Sequence, residues 1–296
     1  MSYAIVSPVK DEASHLALTA ASIRSQTRRP DRWVIVDDGS SDGTRELAET
    51  LAREEPWIIA IDSGAGGDRS RGGRVVRAFE RGCAELPGGH EFVTKLDGDV
   101  ELPPDYFERV ADTFERDRRA GIVGGRVLVP EGAGWVPDRV GRHTVHGAIK
   151  SYRTACLADI GGLRPSMGWD GIDEYAAKAR GWKVIPLDGI EVRHHRKRGS
   201  KQRWWHARLE EGRGVHYMGY RPSFVVVRAG YRMLVEKPPL LGGAALFAGW
   251  LHAAAKRRPV VDDPLAVAAL RAEQRARLRG RRVKPDRPAL TPPAAR

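Results

Sequence analysis

Cysteine is scarce in this chain, with Cys83 and Cys156 the two it has. Neither sits at a metal-ligand spacing, so a disulfide framework and a cysteine zinc site are excluded, and a reducing compartment is favoured. Long apolar runs are also missing. No uninterrupted run of about 18 apolar residues occurs, so a clear membrane-spanning helix is not expected. The opening MSYAIVSPVKDE meets charge too early to form the core of a signal peptide. No internal repeat is present. Disorder over the whole length is excluded as well, because 41% of residues are apolar and 30% charged.

The 296 residues carry a net charge of +12, unevenly spread. Residues 1–189 hold 26 basic and 30 acidic side chains, whereas residues 190–296 hold 24 and 8. A basic chain suggests nucleic acid, but here a near-neutral body is joined to a basic last third. The body alternates strand and helix signals. Tyr3–Ser7, Trp33–Val36, Ile58–Ile61, Phe92–Leu96 and Gly121–Val129 read as strands. Helical patterns lie between them, at 13–23, 44–53, 75–86 and from Pro103 to about Arg118. That order predicts an α/β domain with a mostly parallel sheet covered by helices. Residues 130–170 read as an irregular, substrate-facing excursion. A short helix over Asp173–Arg180 and two short strands, Trp182–Pro186 and Gly189–Val192, follow it.

Ligands of open parallel sheets bind beyond the carboxyl ends of the strands. Three strands end there in acidic turns: Asp11-Glu12, Asp37-Asp38-Gly39-Ser40-Ser41-Asp42-Gly43 and Lys95-Leu96-Asp97-Gly98-Asp99. Asp42 is expected to cap a helix. In Asp97-Gly98-Asp99, two carboxylates flank a residue without a side chain, so both can approach one Mn²⁺ or Mg²⁺ whose open positions take phosphate oxygens.

With these motifs in this order, the sequence resembles family 2 glycosyltransferases of the GT-A fold, of the bacterial surface-polysaccharide type. The likeness is carried by Ser7-Pro8, Asp11-Glu12, Val34 to Thr44, Lys95 to Asp99 and the acidic segment Trp169–Trp182. It is strong over residues 1–129, fair to about 200 and weak beyond. The resemblance implies metal-dependent, inverting transfer of a sugar from a nucleotide-sugar donor to a hydroxyl acceptor. A UDP-sugar is the commonest donor in the family. Pro8, Glu12, Asp38, Arg71, Arg74, Lys95 and Asp97 are then the donor-binding residues. Asp99 binds the metal, with His195 preferred over His194 to complete the site. The general base falls in Trp169-Asp170-Gly171-Ile172-Asp173-Glu174, which departs from the commoner Glu-Asp form. Asp173 is preferred over Asp170, which is well placed as an N-cap, and Glu174 comes third. Trp169, Arg196, Arg198 and Trp204 are acceptor or lid candidates. Gln202-Arg203-Trp204-Trp205 lacks the Gln-x-x-Arg-Trp spacing of processive members, which argues against a polymer synthase.

The implied layout is a GT-A domain over residues 1–200, a basic helical and membrane-proximal appendage over 201–283, and a disordered tail over 284–296. Leu240 to Ala255 is 16 residues without a formal charge. As a helix it would be about 24 Å long, short of a hydrocarbon core of about 30 Å. It either lies on an anionic leaflet through its basic flanks or packs on the domain. A final helix starts at Asp262-Asp263-Pro264 and ends at Gly280, with Arg271, Arg275, Arg277 and Arg279 forming a solvated or lipid-facing surface. The expected partners are a nucleotide sugar, a glycan or polyprenyl-linked acceptor and an anionic membrane, at the cytoplasmic face of the cell membrane, without nucleic acid. Two other classes are the alternatives: a nucleotidyltransferase, which needs a Gly-rich loop that the first strand end lacks, and a nucleic-acid binder using the basic end.

Overall fold

The computed structural model describes residues 1–64, 71–138, 141, 143–195, 204–236, 239–281 and 285–287. Nine strands form one mixed sheet. In chain order the first half runs β1 (Tyr3–Val9), α1 (Ala13–Arg24), β2 (Arg32–Asp37), α2 (Thr44–Glu54), β3 (Ile58–Asp62), α3 (Arg71–Cys83), β4 (Phe92–Leu96), β5 (Val100–Glu101) and α4 (Tyr106–Arg116). Then come β6 (Ala120–Glu131), β7 (Gly134–Pro137), β8 (Ile149–Arg153), α5 (Thr154–Asp159), α6 (Trp169–Ala179) and β9 (Lys183–His194). Four helices follow: α7 (Trp204–Tyr217), α8 (Pro222–Val235), α9 (Leu241–Ala255) and α10 (Pro264–Leu278).

The strand order is β3-β2-β1-β4-β8-β6-β9-β5, with β7 paired to β6. Strands β1 to β4 are parallel neighbours, while β8 enters antiparallel between β4 and β6. The continuous apolar runs of β1, β2 and β4 are buried on both faces, as parallel strands between helix layers require. One core layer holds Tyr3, Phe92, Phe107 and Phe114 against α1 and α4; the other holds Phe79, Tyr152 and Trp169 against α3 and α6.

The expected α/β architecture is present, with corrections concentrated after residue 130. The stretch read as irregular contains β7, β8 and α5. Strand β8 escaped notice because Lys150 interrupts its apolar pattern, yet Lys150 is fully buried. Helix α6 starts at Trp169, four residues before the sequence suggested, because Gly168 takes the left-handed conformation (φ 90°) that opens it. The two short strands before His195 are one irregular strand, β9.

Helix α10 starts as read, with Asp263 Oδ1 accepting the Ala266 N–H at 3.0 Å. Its basic face is not simply solvated or lipid-facing, however. The helix packs on α6, Arg271 donates to the Gly219 carbonyl, and Arg277 pairs with Glu273 at 2.6 Å. Helices α7, α8 and α9 have a separate small core of Val215, Val225, Ala229 and Leu246. Within the stretch read as a tail, Asp286 accepts the Val184 N–H at the start of β9.

Candidate active site

The carboxyl ends of β1, β2 and β4 converge as expected for a ligand site in such a sheet. Asp97 leaves β4, its N–H bonded to the Ala148 carbonyl. Gly98 follows, where a Cβ would come within 2.7 Å of Val9 Cγ1, so only glycine lets this turn pass beside β1. Asp99 then leads into β5, which pairs with the end of β9 so that Val100 sits opposite His194. This pairing brings His194 Nε2 to 3.1 Å from Asp99 Oδ1.

One ligand atom each from Asp97, Asp99 and His194 lie within 4.8 Å of one another. Two carboxylates and an imidazole form a donor set suited to Mn²⁺, and to Mg²⁺ through its oxygens. His194 Nδ1 is buried without a hydrogen-bond partner, which also fits a ligand-binding role. Burial pulls the His194 pKa down, but the Asp99 hydrogen bond and the Asp99 and Asp97 charges outweigh it and leave it raised. His195, the residue preferred from sequence, is outside this cluster. Its Nε2 lies 3.1 Å from Glu101 Oε2 and its ring meets Trp135 edge-on. The alternation along β9 sends adjacent residues to opposite sides, which two consecutive histidines in a sequence do not disclose.

Asp173 and Asp170 occupy different environments, in the reverse of the sequence preference. Asp173 is buried, with Lys150 Nζ at 2.9 and 2.8 Å from its two oxygens and Tyr152 OH donating at 2.6 Å. Lys150 also lies 3.2 Å from Glu174 Oε1 and donates to the Asp170 carbonyl. Burial pushes the Glu174 pKa up to about 7, with Lys150 opposing and Asp173 adding to the rise. Asp173 is 3% exposed there. Asp170 is only partly buried and lies in the first turn of α6, beyond the N-cap position, which Gly168 fills. A Cβ on Gly147 would come within 2.9 Å of Asp170 Oδ2. The Gly147 carbonyl accepts from Lys95 Nζ, and Lys95 pairs with Asp97. A short chain of contacts therefore joins Asp170 to the metal-ligand cluster.

On the opposite side of that cluster, Pro8 and Glu12 flank the end of β1, and Asp38 follows β2. Asp38 is held by Arg74 Nε at 2.7 Å and by Ser63 Oγ at 3.0 Å, while Arg74 Nη2 donates to the Asp38 carbonyl. Arg74 thus orients Asp38 instead of standing free for phosphates. Arg71 begins α3, and its side chain, like Arg196 and Arg198, lies outside the described residues. Asp42 accepts the N–H groups of both Ala13 and Thr44, serving two helix starts at once. Trp169 is buried, with Lys95 Nζ 5.4 Å and Lys150 Nζ 5.9 Å from its ring, so it packs in the interior and offers no face to an acceptor. Trp204 opens α7 and is exposed. Sequence reading missed Lys150, Tyr152 and His146, the last lying 5.8 Å ring to ring from His194.

Comparison with known proteins agrees with this geometry. The profile described as Glycosyl transferase family 2 matches residues 4–146. Succinoglycan biosynthesis protein ExoA of Rhizobium meliloti (strain 1021) is 38% identical over 109 residues, covering 36% of this chain and 31% of that protein. Undecaprenyl-phosphate mannosyltransferase of Micrococcus luteus is 30% identical over 125 residues, covering 42% of this chain and 48% of that one. The matches thus span less than half of either curated relative. The solved structure of the mannosyltransferase PcManGT from Pyrobaculum calidifontis, in complex with GDP-Man and Mn²⁺, shares the fold at a TM-score of 0.54 and 18% identity, covering 93% of this chain and 79% of that one. Residues 4–146, which contain the acidic ends of β1, β2 and β4, thus match Glycosyl transferase family 2.

Proposed function

We propose that the chain transfers a glycosyl group from a nucleoside-diphosphate sugar to the hydroxyl of a lipid-linked acceptor, with inversion, in surface polysaccharide synthesis. The observation that carries this reading is the Asp97, Asp99 and His194 cluster at the end of β4, joined through Lys95 and Gly147 to the partly exposed Asp170. A polyprenyl-linked glycan as acceptor draws support from the lipid-dependent mannosyltransferase of Micrococcus luteus, and the polysaccharide context from ExoA.

Asp38, oriented by Arg74 and Ser63, is the acceptor for a base N–H of the donor, with Pro8 and Glu12 lining the nucleotide pocket. Asp97, Asp99 and His194 would hold Mn²⁺ or Mg²⁺, which when bound supplies Lewis-acid stabilisation of the departing diphosphate. Lys95 fixes the Asp97 carboxylate and carries positive charge to the same rim. Asp170 takes the proton from the acceptor hydroxyl. The acceptor oxygen forms the new bond to the anomeric carbon as the bond to the diphosphate oxygen breaks, and that electron pair leaves with the diphosphate. Attack opposite the leaving group inverts the anomeric configuration.

The test is transfer of radiolabelled sugar to a lipid extract containing polyprenyl-linked glycan, with UDP-sugars and GDP-mannose supplied in turn. Asp170→Asn is expected to lower transfer by roughly 10² to 10⁴, the usual share of a general base, while donor binding persists. Unchanged turnover by that variant would remove Asp170 from the reaction. A nucleotidyltransferase would instead release diphosphate when given a nucleoside triphosphate and a sugar phosphate, and the family match argues against it.

A further inference from the structure

Helix α8 is built inside out. Its charged residues turn inward: Arg228 Nη2 lies 3.0 Å from Glu211 Oε1, and Arg232 Nη1 lies 2.7 Å from Glu211 Oε2 on α7. Its outward face carries Val226, Val227, Tyr231, Leu234 and Val235, and every exposed position of the helix is uncharged. Leu234 is 82% exposed and Tyr231 64%, the reverse of what water rewards.

The next helix repeats the pattern. Helix α9 turns Gly242, Gly243, Leu246 and Gly249 inward and exposes Leu241, Ala244, Ala248 and Leu251. Its inward glycines allow a close approach. A Cβ on Gly249 would collide with the Leu209 carbonyl of α7, and one on Gly243 with the Ala229 carbonyl of α8. The three helices are therefore locked together, and the outward apolar side chains have no inward alternative. Among the described residues no helix is long and apolar enough to cross a membrane.

Basic side chains border this surface: Lys256, Arg257 and Arg258 are exposed at the end of α9. The backbone at Arg258 is fixed to α7 by His216 Nε2 at 2.9 Å from its carbonyl, and the Val261 N–H donates to the Tyr217 carbonyl. An apolar face bordered by a cluster of cations matches a leaflet of anionic lipid, with acyl chains against the face and headgroups at the cations.

We propose that the outer faces of α8 and α9 form a monotopic membrane-binding surface that lies in the plane of an anionic leaflet. This rests on the helices alone and does not require the glycosyl-transfer reading, though it would bring that site to a lipid-borne acceptor.

The experiment is flotation of the full chain with phosphatidylcholine vesicles, with and without phosphatidylglycerol. Wild type is expected to float with the anionic vesicles and to lose part of that binding in high salt. Leu234→Asp and Tyr231→Asp should each reduce partitioning about tenfold, because losing the burial of one large apolar side chain is worth about that much. Both positions are exposed, so thermal melting and Mn²⁺-dependent nucleotide binding should match wild type. That agreement keeps a failure here distinct from a failure of the catalytic assignment. Reversing Lys256, Arg257 and Arg258 to Glu should abolish the preference for phosphatidylglycerol. The proposal is overturned if wild type stays with the unbound fraction, or if the Asp variants float as well as wild type. It is also overturned if light scattering finds a wild-type dimer that Leu234→Asp dissociates without vesicle binding, since a second copy would then cover the face.

Discussion

Lys95 and Lys150 are opposite partners across β4 and β8, both buried and both against Trp169. Each has acidic company: Lys95 has Asp97, and Lys150 has Asp173 and Glu174. Two ammonium groups in one interior are tolerable only because those carboxylates neutralise them, so removing one partner strands a buried charge. Asp173→Ala should therefore cost about 3–5 kcal/mol in urea denaturation, a stability loss much larger than that of Asp170→Ala. Glu174 gives a pH signature. Its pKa is raised by burial to about 7 in the folded chain against an unfolded value of 4.5. The folded state thus holds the proton longer, and this contribution is full below pH 4.5 and lost as pH rises through about 7. Denaturation midpoints of Glu174→Gln and wild type should therefore diverge in the variant's favour as pH rises from about 5 to about 8. Asp97, Asp99 and Asp38 were legible from sequence because strand ends announce themselves. The different burial of Asp170 and Asp173 was not, because Lys150 comes from a strand hidden within a loose-looking stretch.

The elements of the first half were legible because apolar runs, Gly-containing turns and helical periodicity agree there. Past residue 130 that consistency breaks. Strand β8 carries a lysine inward, and β5 is two residues long, recognisable only through its pairing with β9. That pairing decides which histidine joins Asp99, so no local pattern could have chosen His194 over His195. Helix contacts make a separate prediction. On α7, a Cβ at Gly212 would meet the Leu246 carbonyl of α9. Gly212→Val should destabilise the α7–α9 packing by about 1–3 kcal/mol or more, the range for overpacking. Hydrogen exchange should find faster amides in α7 and α9 and unchanged amides in β1 and β4, since the helical core is separate from the sheet's.

At the scale of the whole molecule, the charge imbalance first suggested nucleic acid. The structure distributes that charge more specifically: α10 arginines bond to Gly219 and Glu273, α8 arginines bond to Glu211, and exposed cations remain at the end of α9. The carboxylates Asp38, Asp97 and Asp99 sit at the strand ends of the sheet. The proposed function requires that acidic rim to hold a divalent cation and, through it, a nucleoside diphosphate. The most direct test is calorimetric titration of UDP and GDP, each with and without Mn²⁺, into wild type, Asp99→Ala, His194→Ala and His195→Ala. Binding of at least one nucleotide should require Mn²⁺, be lost in Asp99→Ala, be weakened about tenfold or more in His194→Ala as for a lost ligand, and survive in His195→Ala. Mn²⁺-independent binding, or binding that depends on His195 and not on His194, would contradict the account.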